Sequence, residues 1–274
     1  FLTTPTPYRP EVAAVLDERS MLRVAAGGQR VTIPAVYGAR IPLGRMGTPY
    51  GQYLLDDVAA GRVHAKAYVF LNAWCLQPAD RQRLNRATSG AVRVWCYAPG
   101  AFEDGPASPE AMRELTGFTL RPVAPAKAIA TPTAAGRRLG LQTPLGLDGP
   151  PRPLFAADDA TGDEVLATYP DGSAAVALRR TESGPSLFVG PPGLTSELLR
   201  LAARAGGVHL FTDADCNIYA NGPYVALHAS DDGTRTLDVG SPTPILDVLT
   251  GSKLGDGPRI TLPLRRGETR ILKY

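Results

Sequence analysis

The chain has 274 residues, of which 44% are hydrophobic and 20% charged, and its 29 basic and 26 acidic side chains leave a net charge of +3. This length and composition are typical of a globular protein with about two domains, each long enough to bury a core. Basic residues are interspersed with acidic ones and form no run of Lys and Arg that could follow a phosphate backbone, which argues against nucleic acid as a partner. No apolar run reaches the roughly 18 residues of a transmembrane helix, so no membrane partner is predicted either.

The start of the chain and its cysteines give two expectations, one about a preceding segment and one about the cellular location. A proline-rich lead from Pro5 to Pro10 precedes the first predicted strand and suggests a linker from a preceding segment. The cysteines are few, odd in number and widely spaced, at Cys75, Cys96 and Cys216. They form neither a disulfide framework nor a CxxC metal pair, so a reducing, cytoplasmic location is the simpler expectation, with one disulfide left open.

The first third of the chain alternates predicted strands with predicted helices. The predicted strands are 12–16, 52–55, 65–71 and 92–97. The predicted helices are 33–46 with Thr32 as N-cap, 78–89, and one that begins at Ser108 and ends at Gly117. Strands and helices that take turns in this way predict an α/β fold with a doubly wound parallel sheet.

The pattern then changes twice. Residues 121–153 are rich in Pro, Ala and Gly without periodicity, so a long surface excursion outside the core is predicted there. A β-meander over 164–189 and a helix over 195–205 follow. From residue 208 onward only strands are predicted, at 208–211, 224–229, 234–239, 244–249, 259–264 and 268–274. Their short spacing predicts a small all-β sandwich, so the expected domains are 1–206 and 207–274.

Polar side chains follow the predicted parallel strands. The candidate binding residues of this strand-end crevice are Asp17, Glu18, Asp56, Asn72 and Tyr97, with Asp57 beside them. Ligands of open α/β sheets bind outside the carboxyl ends of the strands, and paired carboxylates in a cleft can perform acid–base chemistry. The alternative is that these residues only cap strands where the chain turns to water, as in any parallel sheet.

Signals for catalysis or metal binding are weak. A nucleophile elbow needs small residues on both sides of the cysteine, whereas Cys96 lies between Trp95 and Tyr97 and favours a buried structural thiol. The histidines, His64, His209 and His228, show no metal-ligand spacing. Residues 213–217 look like the start of a calcium loop but lack its glycine and distal glutamate. No catalytic residue, metal site or cofactor is therefore predicted.

Several segments, taken in order, resemble one protein family. They are Glu11-Val12-Ala13-Ala14-Val15-Leu16-Asp17-Glu18-Arg19-Ser20, Arg45-Met46-Gly47-Thr48-Pro49-Tyr50, Tyr53-Leu54-Leu55-Asp56-Asp57, Tyr68-Val69-Phe70-Leu71-Asn72-Ala73 and Trp95-Cys96-Tyr97-Ala98-Pro99-Gly100. Toward the end follow Ala205-Gly206-Gly207-Val208-His209-Leu210, Leu227-His228-Ala229 and Gly267-Glu268-Thr269-Arg270-Ile271-Leu272. Together they resemble the region C-terminal to the catalytic barrel in β-galactosidase-like proteins related to glycoside hydrolase family 42.

The resemblance implies a flavodoxin-like, class I amidotransferase-like domain, the trimerisation domain of that family, followed by a closing β-domain. It also implies a non-catalytic role, because the catalytic carboxylates of the family lie on an upstream (β/α)8 barrel of about 250 residues, for which this chain has no room. The expected partners are that barrel or identical subunits, and possibly carbohydrate. Two alternatives stay open: a free-standing Cys-dependent hydrolase of amidotransferase type, and a carbohydrate-binding module using Tyr219 and Tyr224.

Overall fold

The computed structural model describes residues 7–24, 28–102, 107–149 and 153–274. The predicted linker between Pro5 and Pro10 therefore lies partly outside the described residues. Every helix within those ranges is too short or too polar to cross a bilayer.

The strands are β1 (Val12–Leu16), β2 (Tyr50–Leu54), β3 (Ala67–Phe70), β4 (Val92–Cys96), β5 (Leu120–Val123), β6 (Ala128–Pro132), β7 (Leu145–Leu147), β8 (Leu154–Ala157), β9 (Val165–Thr168), β10 (Ala174–Thr181), β11 (Gly184–Val189), β12 (Cys216–Asn221), β13 (Tyr224–Ala229), β14 (Gly233–Asp238), β15 (Pro244–Asp247), β16 (Lys253–Asp256), β17 (Arg259–Leu264) and β18 (Thr269–Lys273). The α-helices are α1 (Glu18–Leu22), α2 (Gln29–Thr32), α3 (Arg40–Gly44), α4 (Leu55–Ala59), α5 (Pro78–Ala87), α6 (Pro109–Thr116), α7 (Ala134–Arg138) and α8 (Ser196–Ala205). A π-helical turn, Ile33–Tyr37, follows α2 directly and leads to α3. A 3-10 turn, Gly162–Glu164, precedes β9.

A nine-stranded sheet in the order β2-β1-β3-β4-β11-β10-β9-β6-β7 organises the first three quarters of the chain. The pairings from β2 to β11 are parallel, and those from β11 to β7 are antiparallel. The predicted α/β architecture and the meander of β9, β10 and β11 are thus confirmed, as a mixed sheet. The flavodoxin-like or class I amidotransferase-like assignment stays a prediction.

Helices cover both faces of the parallel half, as a doubly wound sheet requires. On one face, Val15, Phe70 and Trp95 pack against apolar residues of α4, α5 and α6, and the rings of Phe70 and Trp95 stack with centroids 4.3 Å apart. On the other face, Ala14 and Val94 pack against α3 and α8. Because both faces are buried, β1, β3 and β4 are almost wholly apolar, which is why their sequence shows continuous runs without alternation.

The helix predicted over 33–46 differs from prediction in a way that Pro34 explains. Helical structure begins at Gln29, so Thr32 lies inside the helix and is not an N-cap. Pro34 has no backbone N–H and its ring crowds the preceding turn. The helix widens there, and the N–H of Gly38 donates to the carbonyl of Ile33 at 2.7 Å, a π-type bond.

Residues 121–153 are not a surface excursion. Strands β6 and β7 extend the nine-stranded sheet, and β5 pairs with β8 in a separate two-stranded ladder. Residues of this stretch and its flanks join the main core, among them Ala128, Ala130, Leu141, Leu145 and Leu154. Strands of three to five residues, such as β6 and β7, carry too little periodicity to be recognised from sequence.

The C-terminal part is all-β, as predicted, with its own core. The antiparallel sheet β12-β13-β18-β15-β16 and the pair β14–β17 enclose apolar side chains that include Ile218, Leu227, Leu237 and Leu272. Two predictions fail here. Residues 208–211 form a connecting segment and not a strand, and β12 begins at Cys216, inside the segment compared with a calcium loop.

Gly136, within residues 121–153, lies close against the backbone of β9. A Cβ at Gly136 would lie 2.1 Å from the carbonyl oxygen of Leu166, so we expect Gly136→Ala to lower the free energy of unfolding by about 2 kcal/mol through overpacking. Urea unfolding measures this. Gly44→Ala is the control, because its Cβ would meet the Asn217 side chain, with the oxygen nearest at 3.3 Å, and no backbone atom within 4 Å. Equal stability of the two variants would contradict the packing of this stretch.

Candidate functional site

The carboxyl ends of β1 and β3 are joined by a reciprocal pair of hydrogen bonds. The backbone N–H of Asp17 donates to Asn72 Oδ1, and Asn72 Nδ2 donates to the backbone carbonyl of Asp17, each at 2.8 Å. Both residues are buried. The structure thus brings these two predicted site residues together, but both polar atoms of the Asn72 side chain bond to the backbone of Asp17.

The carboxylate of Asp17 is likewise committed to local structure. It caps α1 by accepting from the backbone N–H of Ser20 at 3.1 Å and from the Ser20 hydroxyl. The same hydroxyl oxygen accepts from the backbone N–H groups of Trp74 at 3.1 Å and Cys75 at 2.9 Å. Asp17 and Ser20 therefore fix the segment that follows β3 against the start of α1.

A cluster of charges lies beside this cap. Arg19 donates to Asp80 at 2.9 Å, to Asp56 at 3.1 Å and to Asp17 at 3.5 Å, and Arg83 also pairs with Asp80. Burial raises the pKa of Asp80, but the hydrogen bonds and charges of Arg83 and Arg19 outweigh it and hold that pKa below its ordinary value. A carboxylate held ionised by two guanidinium groups is a poor proton acceptor and suits a structural pair.

The remaining acidic candidates do not enclose a ligand-sized space. Glu18 and Asp56 are exposed, and Asp56 lies in the first turn of α4, not at a strand end. Asp57 pairs with Arg62 at 2.8 Å. The cavity between the ends of β1 and β2 holds about 40 Å³. That volume admits a water molecule, whereas small-molecule sites need roughly 300 Å³ or more.

Tyr97 lies directly after β4, where a nucleophile elbow would place its reactive residue. Its φ of 68° is left-handed, which is costly for a non-glycine residue. The hydroxyl donates to the carbonyl of Pro153 at 2.6 Å, and the ring makes edge contacts with Trp74 and Phe155. Burial raises the pKa of Tyr97 to about 12, so the phenol stays neutral and secures the start of β8.

The thiols do not have the chemistry of a nucleophile. Burial raises the pKa of Cys96 to about 12 and that of Cys216 to about 11, so both are protonated at neutral pH. A catalytic cysteine needs the opposite shift, because the thiolate is the attacking species. Cys75 is half-buried, with its backbone N–H bonded to Ser20. These observations weigh against the Cys-dependent hydrolase.

The histidines and the calcium-like segment have structural contacts. His209 Nε2 lies 2.9 Å from the carbonyl of Asp238, and His228 Nδ1 lies 2.8 Å from the hydroxyl of Thr269. In the calcium-like segment, Asp213 pairs with Arg204, and Asp215 pairs with Arg45 at 3.3 Å. No group of three potential ligands is placed to hold a metal ion within the ranges that the structure describes.

Sequence reasoning missed the residues that complete the strand-end network: Arg19, Ser20, Trp74, Asp80 and Arg83. Ser20 follows Asp17 at the spacing of a helix cap, a signal that was present in the sequence. Asp80 lies 61 positions from Arg19 along the chain, so only the folded sheet brings them together.

No protein-family model matches the chain, and no curated protein matches it significantly. Solved structures match over nearly its whole length. The β-galactosidase from Bacillus circulans sp. alkalophilus has a TM-score of 0.67 at 15% identity, covering 96% of this chain and 41% of the enzyme. The β-galactosidase from the Antarctic haloarchaeon Halorubrum lacusprofundi has a TM-score of 0.62 at 15% identity, and the match covers 100% of this chain and 41% of the enzyme. The α-L-fucosidase isoenzyme 2 from Paenibacillus thiaminolyticus has a TM-score of 0.52 at 10% identity, and the match covers 97% of this chain and 48% of the fucosidase.

At these identities the matches establish a shared fold. The predicted resemblance to β-galactosidase-like proteins is confirmed at that level, and the chain spans about 41% of the length of the β-galactosidases described above. Correspondence to a trimerisation domain remains a prediction. Because a fucosidase shares the fold as well, the fold by itself defines no particular sugar.

The paired state of Asp80 predicts a pH-dependent stability. We expect Asp80→Asn to lower the free energy of unfolding by about 2 kcal/mol at neutral pH, through the lost charged hydrogen bonds. The folded-state pKa is lowered, so this stabilisation is complete above the unfolded-state pKa of about 3.9 and disappears as the pH falls through the folded-state value. Denaturant unfolding at several pH values measures the difference between the variant and the parent chain.

Asp57→Asn is the matched control, because Asp57 pairs with an exposed arginine and should cost at most about 1 kcal/mol. An Asp80→Asn protein as stable as the control would contradict the structural role of the cluster.

Proposed function

We propose that the chain is a non-catalytic accessory and oligomerisation module of a β-galactosidase-like glycoside hydrolase, corresponding to its amidotransferase-like trimerisation domain and closing β-domain. Sugar chemistry then belongs to a barrel that this chain does not contain. The single observation that carries the proposal is an exposed apolar face on the α2–α3 segment, where a partner can dock. The strand-end side chains that bond within the protein and the protonated thiols also support it, because neither has the chemistry of a catalytic group.

The apolar face has the composition of a protein interface. It consists of the exposed side chains of Ile33, Tyr37, Ile41 and Tyr219, with Arg40 and the half-buried Tyr50 beside them. Ile33 and Tyr37 are each 54% exposed and Ile41 is 64% exposed, so three large apolar side chains of this short segment are exposed. An apolar side chain exposed singly needs no explanation, whereas a row of large ones marks an interaction surface.

The row continues onto the C-terminal β part. The Arg40 guanidinium lies 5.7 Å from the centroid of the Tyr37 ring, and Tyr50 lies within electrostatic range of both Arg40 and Tyr219. Tyr219 on β12 is 65% exposed. Tyrosine and arginine are enriched at the centres of protein interfaces, which favours a protein partner for this face.

Self-association tests the docking role. We expect the chain to form oligomers in sedimentation equilibrium, and Ile41→Asp to raise the dissociation constant about tenfold or more, because it places a charge where an apolar side chain is buried. Leu249→Asp is the control, since Leu249 is 74% exposed and lies outside the apolar face. A chain that stays monomeric, or an Ile41→Asp variant that associates as well as the control, contradicts the oligomerisation role.

A non-catalytic module has no turnover of its own. We expect no hydrolysis of aryl β-galactosides, aryl α-fucosides or glutamine above the buffer rate. We also expect thiol reagents to modify Cys96 and Cys216 no faster than the protein unfolds, because both are buried with raised pKa values. Turnover that disappears on a single substitution at Cys96, Cys75 or Asp17 would restore the hydrolase alternative.

A further inference from the structure

A cleft of about 650 Å³ lies where the α/β part meets the C-terminal β part. Its walls are Arg204 at the end of α8, the connecting segment 208–214, and side chains of β14 and β17. The volume lies within the range of roughly 300–1,000 Å³ that small-molecule sites occupy. It is distinct from the strand-end crevice and from the apolar face.

One wall is a polar face of the β14–β17 ladder. Side chains alternate along a strand, so Thr234, Thr236 and Asp238 share the face that lines the cleft, while Leu237 belongs to the core behind it. The hydroxyls of Thr234 and Thr236 make no hydrogen bond to any described part of the chain. They are free to donate to a ligand and to accept from it.

The connecting segment adjoins this polar face and is held by a ring pair, in which Phe211 is buried. The rings of His209 and Phe211 meet edge to face with centroids 4.8 Å apart. His209 Nε2 lies 2.9 Å from the carbonyl of Asp238, and the backbone N–H of Phe211 donates to the carbonyl of Gly47 at 2.8 Å. This segment is therefore preorganised, which reduces the entropy lost when a ligand binds.

The charges of the cleft are balanced. Arg204 pairs with Asp213, and Arg259 pairs with Asp238 at 2.7 Å, so two positive and two negative side chains line it. An anion must compete with a carboxylate for each guanidinium, and an apolar ligand would desolvate both pairs without replacing their hydrogen bonds. A neutral ligand rich in hydroxyl groups can donate to the carboxylates and accept from the guanidinium groups while the pairs stay intact.

From the volume, the unused hydroxyls, the preorganised connecting segment and the balanced charge, we propose that this cleft binds a neutral saccharide of one to a few sugar rings. The site is a binding site and carries out no bond-breaking step. The proposal does not depend on the docking role of the apolar face, because the cleft is formed within a single chain.

The test is a titration of the 274-residue chain, followed by amide NMR, with lactose, cellobiose, maltose and sodium sulfate as separate probes. We expect at least one disaccharide to give saturable shifts that centre on His209, Phe211, Thr234 and Thr236, and sulfate to give none. Thr236→Val and Asp213→Asn should each weaken the binding about tenfold, the effect of one lost hydrogen bond to the ligand.

Matched controls separate binding from folding. Thr131→Val changes an exposed strand threonine outside the cleft, and Asp163→Asn changes an exposed aspartate that pairs with Arg138 as Asp213 pairs with Arg204. Both should bind as the parent chain does. The proposal is overturned if no disaccharide gives saturable shifts, if sulfate alone binds at these residues, or if disaccharide shifts centre on Tyr37 and Tyr219 instead. Sedimentation of the same samples measures the oligomeric state, so the docking role is tested separately from saccharide binding.

Discussion

Asn72 holds the ends of β1 and β3 together by two hydrogen bonds to the backbone of Asp17, and the network of polar groups at the strand ends is built around this contact. Two adjacent parallel strands end in backbone groups that have no further ladder partner, and a buried group left unpaired costs about 1–3 kcal/mol. The side chains of Asn72, Asp17 and Ser20 satisfy these groups. Asp17 and Asn72, which suggest a ligand crevice in the sequence, therefore form hydrogen bonds within the protein itself.

The hydrogen bonds and pKa shifts at the strand ends support the proposed scaffold role. A catalytic acid or base works best when its pKa lies near the working pH, and burial or neighbouring charges shift the pKa there. Asp80 has its pKa lowered by two arginines, whereas Cys96 and Tyr97 have theirs raised by burial. Every one of these shifts moves the group further from reactivity near neutral pH, which agrees with a scaffold.

The parts of the fold that were predictable from sequence are those with strong local signals. The helices α6 and α8 were placed correctly because Ser108 and Thr195 are side-chain N-caps, and the buried strands because of their apolar runs. The π-helical turn at Pro34 and the short strands β6 and β7 were missed, since tertiary packing decides them. The candidate site was half predictable: Asp17 and Asn72 do meet, but their partners come from distant positions. The cleft was not predictable, because its walls are separated along the chain and meet only after folding.

The segment 211–217 connects the features on which both proposals depend. Gly47 has a φ of 93°, and a Cβ there would lie 2.0 Å from the carbonyl oxygen of Thr212, so only glycine allows α3 to approach the segment so closely. The ion pair between Arg45 and Asp215 and the bond from Arg200 to the Arg45 carbonyl at 3.0 Å hold the same junction. The helical segment that presents the apolar face is thus fixed to the β part that forms the cleft.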